Sequence, residues 1–333
     1  MHALLTRLPA AEWAARAQAH AERADALTAD HRARRATGTR HPVEDFLYEY
    51  YSARPAQLRR WHPGPGVVLE PGPDGPAPHA AWRWYTTDDD GAVTLDLDAF
   101  RADRGDTVAF VARLLAATAS RPAHTGCFGL HEWAMVYRVD EHRHPLPLRL
   151  GGAGTDAVVE SHPVRCSHFD AFRFFTPAAV GRNRLRPTRA TQVELEQPGC
   201  LHATMDLYKW AYKLGPAVPG DLLLDCFVLA ADVRELDMRA SPYDLRAAGY
   251  KPVAIETPEG KAEYVAAAFA AGWDSLTALD HWVTTGAAPA DPVVRDTNPG
   301  ATRTRPLCEY PAHPQYSGSG SPEEASSFDC VTG

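Results

Sequence analysis

The chain contains no run of about 18 apolar residues, so the sequence provides no segment suited to carry a helix across a bilayer. Its amino terminus, MHALLTRLPAAEWAARAQ, lacks the long apolar core of a secretory signal, and the expected location is the cytoplasm. Net positive charge is missing as well. A formal charge of -8 at pH 7 argues against a protein that coats nucleic acid through a basic face. The six cysteines form no CxxC pair, which argues against a zinc finger and leaves Cys127, Cys166, Cys200 and Cys226 reading as buried thiols. HExxH and GxSxG are absent too, so neither a zincin helix nor a serine nucleophile elbow is written in the chain.

What is present suits a packed globular protein: 333 residues, 45% of them hydrophobic, enough for one large domain or two smaller ones. Charge is unevenly spread. Arg32, Arg34, Arg35 and Arg40 cluster early, and Arg182, Arg184, Arg186 and Arg189 centrally, while Asp88, Asp89, Asp90, Asp96 and Asp98 form an acidic strip. Such basic patches are either solvated faces or local phosphate sites.

Along the chain, residues 9–37 place Trp13, Ala17, Ala24 and Leu27 at near-helical spacing, and Gly38 ends that helix. HPVEDFLYEYY and the segment starting at Pro55 read as short helices. Residues 63–78 are dominated by proline and glycine and predict an exposed loop. The DDDG turn at 88–91 sits between short strands within 82–98, and residues 100–119 return to helical spacing. GLHEWAMVYRV at 129–139 is compatible with a strand or a short buried helix, and the strand is the reading taken. Ser167 with Asp170 resembles a capping pair. Helices are predicted over 201–214 and 221–239, a short strand over 251–255, and helices over 261–270 and 273–285. The expected fold is α+β: a helix-dominated single globular body with a small sheet over 1–270, then an appended Pro/Gly/Ser-rich tail over 271–333, largely irregular after 286.

Polar residues crowd into apolar segments between 198 and 260, which predicts either a polar cleft or a stabilising network. On the 201–214 helix His202, Asp206, Lys209 and Lys213 share one face, between Tyr208 on one side and Trp210 on the other. SHFDAFRF brings His168, Asp170 and Arg173 within one turn: a base or acid, a carboxylate and a cation. Glu256 stands where VAIE meets the next helix and is the preferred catalytic carboxylate. The catalytic candidates are therefore Glu256, Asp206, His202, His168 and Asp170. His131, Glu132, Arg173, Tyr208, Trp210, Arg239 and Tyr243 are the substrate-binding candidates. No cofactor is expected. An iron, manganese or zinc site can be imagined from His131, Glu132, His168, Asp170, His202 and Asp206, but no ligand motif predicts one.

The blocks HPVEDFLYEYYSARPAQLRRWHPG, GCFGLHEWAMVYR, SHFDAFRFFTPAA, QPGCLHATMDLYKWAYKL, LDMRASPYDL and PVAIETPEGKAEYV together resemble a bacterial family, frequent in actinomycetes, labelled methyladenine DNA glycosylase, over most of 1–269. That resemblance implies DNA repair: a hydrolase that flips an alkylated purine out of DNA and cleaves its N-glycosidic bond. It implies DNA or a nucleobase-like small molecule as partner, with no membrane and no protein partner. Trp210, Tyr208, Asp206, Glu256 and the arginines of 182–189 are available for base stacking, sugar-cation stabilisation and phosphate contact. The Gly-rich hairpin and following Asp of helix-hairpin-helix glycosylases are not found.

From Trp273 onward, RPLCEYP, YSGSG and FDC resemble the carboxyl-terminal end of the tannase and feruloyl esterase family, as in a fusion of that ending to another body. This implies an ester hydrolase fragment without a complete Ser, His and Asp triad as the alternative function, beside a non-enzymatic nucleotide- or small-ligand-binding protein. Cys308 and Cys330 could bridge in an oxidising compartment and would stay reduced in the cytoplasm.

Overall fold

Pro9 and Gly38 bracket the longest helix as the spacing predicts, and Gly38 closes it in the left-handed region at φ 70°. The computed structural model describes residues 5–140, 144–271, 293–295, 304–306, 312–321 and 323–332. Its helices begin with α1 Ala10–Thr37, α2 Phe46–Glu49, α3 Pro55–Leu58 and α4 Leu97–Ala119. Next come α5 Leu130–Ala134, α6 Gly151–Ser161, α7 Phe169–Phe172 and α8 Pro177–Val180. The last four are α9 Gln192–Leu195, α10 Leu201–Leu214, α11 Gly220–Arg239 and α12 Pro258–Ala271. Strands β1 Thr6–Leu8, β2 Val67–Leu69, β3 Tyr85–Thr87 and β4 Val93–Leu95 form one sheet in the order β1-β2-β4-β3. β5 Val293–Arg295 pairs with β6 Thr304–Pro306, and β7 Ala312–Tyr316 with β8 Phe328–Thr332, both antiparallel. The helix-dominated α+β class is as expected.

The chain divides into two compact units, Met1–Arg113 with Thr204–Glu235, and Leu114–Ala203 with Leu236–Gly333. In the first, β1 runs parallel to β2 while β4 is antiparallel to both β2 and β3. Leu8, Trp61, Leu69, Ala77 and Val93 are buried together, and Trp13 and Ala17 of α1 pack against them. β2 corrects the expectation of an exposed loop over 63–78. Two β-branched residues and a leucine between the prolines suffice for a strand when partners lie on both sides. A second cluster joins Tyr48, Tyr51, Tyr208 and Phe227 edge to face or tilted.

In the second unit the centre is α5, which packs against α6 and α7. The strand reading of 129–139 is corrected here. Leu130, His131, Glu132, Trp133 and Ala134 are all buried, so the segment has no polar face and no readable period. Gly129 at φ 74° launches the helix. The expected strand over 251–255 is likewise absent: Val253 and Ile255 are fully buried, yet Val253 N–H bonds to Arg239 O without a ladder forming. α7 starts at His168 with no side-chain cap, so the Ser167 and Asp170 capping pair is not formed. The tail, expected to be irregular after 286, carries the two strand pairs, and the helix expected over 273–285 lies outside the described residues. No described helix is long and apolar enough to cross a membrane.

Candidate functional site

Within the second unit, the turn at 127–129 determines where the chemistry gathers. Phe128 at φ 48° and Gly129 at φ 74° are consecutive left-handed residues, an uncommon and strained arrangement for phenylalanine. A Cβ on Gly129 would stand 3.1 Å from the Ala240 Cβ, so the turn is pressed against the end of α11. Trp133 fixes the same junction by donating its indole N–H to Ala240 O at 2.9 Å. Tyr264 of α12 is buried beside the turn, its ring 5.7 Å from that of Phe128.

This turn folds Cys127 back against His131, four residues on. Cys127 Sγ lies 3.4 Å from His131 Nδ1, and His131 Nε2 lies 2.9 Å from Asp237 Oδ1. His131 and Asp237 are buried, and Cys127 is half-buried. The thiol of Cys127 is drawn well below its ordinary range, first by a hydrogen bond from Cys166 and, against the effect of burial, by His131. Burial works against a charge on His131, but Asp237 and Cys127 outweigh it and hold the imidazole well above its usual value. Hydrogen bonding to Cys127 and burial push the Cys166 thiol up.

His202, near the start of α10, meets the His131 ring almost perpendicularly at 4.4 Å between centroids, and the His168 ring lies 5.3 Å from that of His202. The candidate ligand atoms of His131, Glu132, His202 and Asp237 all fall within 4.8 Å of one another. His168 Nε2 stands 3.3 Å from Glu196 Oε1, and Gln192 donates to the same oxygen at 2.6 Å. The structure therefore gathers His131, Glu132, His168 and His202.

The remaining candidates have the following partners. Glu256 is held by Arg149 in a bidentate pair. Burial raises its carboxyl, but Arg149 outweighs this and keeps it below the usual range. Asp170 is buried with Arg173 at 3.3 Å and Arg189 at 3.8 Å. Arg239 pairs with Glu263 at 3.0 Å. Arg239 and Tyr243 do line a common cavity of about 170 Å³, together with Arg149, Asp244, Leu245, Arg246 and Pro252. In the first unit, Asp206 is buried, accepting from Tyr51 Oη at 3.0 Å and from Lys209 Nζ at 2.6 Å. Tyr208 belongs to the aromatic core there, and Trp210 packs edge to face on Phe110 with Lys209 over its ring.

Sequence reasoning missed Cys127 and Asp237. Cys127 reads as a buried thiol in the sequence, and no role falls to Asp237 there. The usable signal is the spacing of four between Cys127 and His131 in CFGLH, which the left-handed turn before α5 closes into a contact and which the strand reading conceals.

Residues 259–331 match the family described as tannase and feruloyl esterase. A segment of 65 residues is 50% identical to an uncharacterized esterase of Agrobacterium fabrum, covering 19% of this chain and 12% of that protein. A segment of 63 residues is 43% identical to an uncharacterized esterase of Xanthomonas campestris pv. campestris, covering 17% of this chain and 11% of that protein. The chain thus spans about a tenth of the length of the curated relatives it matches. No solved structure matches. The tannase resemblance of the tail is supported, and nothing in these comparisons supports the methyladenine DNA glycosylase resemblance. The matched segment begins in α12, the helix whose Tyr264 lies beside the 127–129 turn.

Proposed function

We propose that the chain is an ester hydrolase that works through Cys127, His131 and Asp237. The observation that carries this reading is the unbroken line from Cys127 Sγ to His131 Nδ1 and from His131 Nε2 to Asp237 Oδ1, at 3.4 and 2.9 Å. Nucleophile, base and orienting carboxylate in that sequence are what acyl transfer requires, whatever the fold. The esterase-like match of residues 259–331 supports the same reaction class.

In the proposed reaction the Cys127 sulfur attacks the ester carbonyl carbon, the S–C bond forms, and the carbonyl electron pair moves to oxygen. Collapse of that adduct breaks the C–O bond, and His131 Nδ1–H protonates the departing alcohol. Water then attacks the thioester as His131 takes its proton, releasing the acid and restoring the thiol. Asp237 holds the ring in place by accepting at Nε2. Feruloyl esters, which the family's description names, are the first substrates to test, with galloyl esters beside them and the simple p-nitrophenyl acetate as a permissive probe.

The full chain, assayed with chelator present, should hydrolyse at least one of these esters, and Cys127→Ala or His131→Ala should lower kcat/KM at least about 100-fold while leaving the circular dichroism spectrum unchanged. Quenching a p-nitrophenyl acetate reaction should leave an acetyl group on Cys127, detectable by peptide mass spectrometry. Turnover that survives Cys127→Ala overturns the assignment, as does an acetyl group found elsewhere.

A further inference from the structure

We infer that His131, Glu132, His202 and Asp237 form a binding site for one divalent transition-metal ion. Each contributes one candidate ligand atom, all four atoms lie within 4.8 Å of one another, and all four residues are buried. Ligands on opposite sides of an ion with bonds of about 2.1 Å are about 4.2 Å apart, so the observed spread needs only side-chain adjustment to close on a metal. Two imidazoles with two carboxylates favour zinc, iron(II), cobalt(II) or manganese(II), and the imidazoles disfavour calcium and magnesium.

Two features point to a metal rather than a simple ion pair. His131 Nε2 approaches Asp237 Oδ1 to 2.9 Å, and a second imidazole, that of His202, stands perpendicular to the His131 ring beside the same carboxylates. Meanwhile the outward nitrogen of His131, Nδ1, is engaged by Cys127 at 3.4 Å, the kind of second contact that fixes the ring orientation of a ligating histidine. Burying two carboxylates together is costly, and a dication among them offsets that cost.

The site uses the same imidazole as the proposed ester hydrolysis, and only its effect on turnover rests on that reading. A metal on Nε2 leaves the proton of a neutral ring on Nδ1, facing Cys127, where it can no longer accept the thiol proton. Metal-bound protein should therefore hydrolyse esters more slowly than metal-free protein.

The full chain, stripped with chelator and dialysed, is titrated with cobalt(II) and separately with zinc(II). Binding of about one cobalt per chain with visible d–d absorption, weakened at least about tenfold in each of Glu132→Gln, His202→Asn and His202→Ala, is the expected result. Melting curves of the metal-free variants show whether each is folded, and the mildest folded variant is the one compared. Absence of d–d bands, or undiminished binding in a folded variant, overturns the site. Hydrolysis of p-nitrophenyl acetate in the same samples should fall in step with loading. A rise with loading overturns the competition between metal and thiol chemistry. Absence of turnover in every state overturns the ester-hydrolase reading and leaves the cobalt result to stand by itself.

Discussion

Phe128 and Gly129 hold the left-handed turn that places Cys127 over His131, and the two residues bear that geometry unequally. Gly129 adopts φ 74° without steric penalty, whereas any side chain there is strained and also meets the Ala240 Cβ at 3.1 Å. Gly129→Ala should therefore lower unfolding free energy by about 1–3 kcal/mol in a denaturant titration. Ester turnover should fall further than stability, because the Cys127 to His131 distance depends on this turn. Elsewhere, burial pushes the Asp45 carboxyl up, but hydrogen bonds from Arg34, His31 and the His41 N–H outweigh it and hold the group at about 2. A carboxyl depressed in the folded state stabilises above its unfolded value near 4 and loses that contribution as pH falls towards 2. Asp45→Asn should thus cost about 2 kcal/mol at pH 7 and progressively less between pH 4 and pH 2, measured as the difference between the two denaturation midpoints. At this scale the sequence revealed the histidines but not their partners. His131 and His202 stand out among apolar neighbours, while nothing local marks Asp237 as the acid that reaches His131 across more than a hundred residues.

Among the elements, α1, α4, α10 and α11 were legible because each has caps or a long period, and length makes a period countable. Leu222, Cys226, Leu229, Val233 and Leu236 of α11 alternate steps of four and three, and all but the half-buried Leu229 are buried. Among elements of three to five residues, α2, α3, β3 and β4 fall where short helices and strands were expected, whereas others left no such trace. β2 is hidden among prolines and glycines, α5 has no exposed face to give it periodicity, and 251–255 alternates like a strand but has no strand beside it. That last segment is shaped by a close approach instead: a Cβ on Gly260, in the first turn of α12, would fall 2.0 Å from Ala254 O. Backbone cannot yield as a flexible side chain can, so Gly260→Ala should force 251–257 off α12 and cost more than about 3 kcal/mol, well above the usual effect of a surface substitution. A thermal melt compared with Glu259→Ala, its exposed neighbour, separates this collision from any general sensitivity of the helix start.

For the whole molecule, charge and covalent linkage bear on where and on what the chain acts. The arginines of 182–189 do not form an unengaged basic stripe: Arg182 meets Glu160 at 3.6 Å and Tyr137 at 3.0 Å, Arg189 meets Asp170 at 3.8 Å, and Arg186 bonds to the carbonyl oxygens of Asn183 and Leu185. Cys127, Cys166, Cys200 and Cys226 carry no disulfide, whereas Cys330 in β8 is disulfide-bonded. The cytoplasmic location expected from the amino terminus would leave it reduced, so the bond and that expectation oppose each other. β7 and β8 pair through five residues in register, with Cys330 opposite Pro314, which has no N–H to give to the ladder. A strand pair so short gains little from its own hydrogen bonds, and the crosslink should supply most of its resistance to opening, about 2–4 kcal/mol. Reduction without denaturant should therefore speed amide exchange across 312–332 by at least about tenfold while leaving the amides of α5 as protected as before. Equal protection with and without reductant would mean that packing rather than the disulfide holds the tannase-like end together, and that a reducing compartment is no obstacle to it.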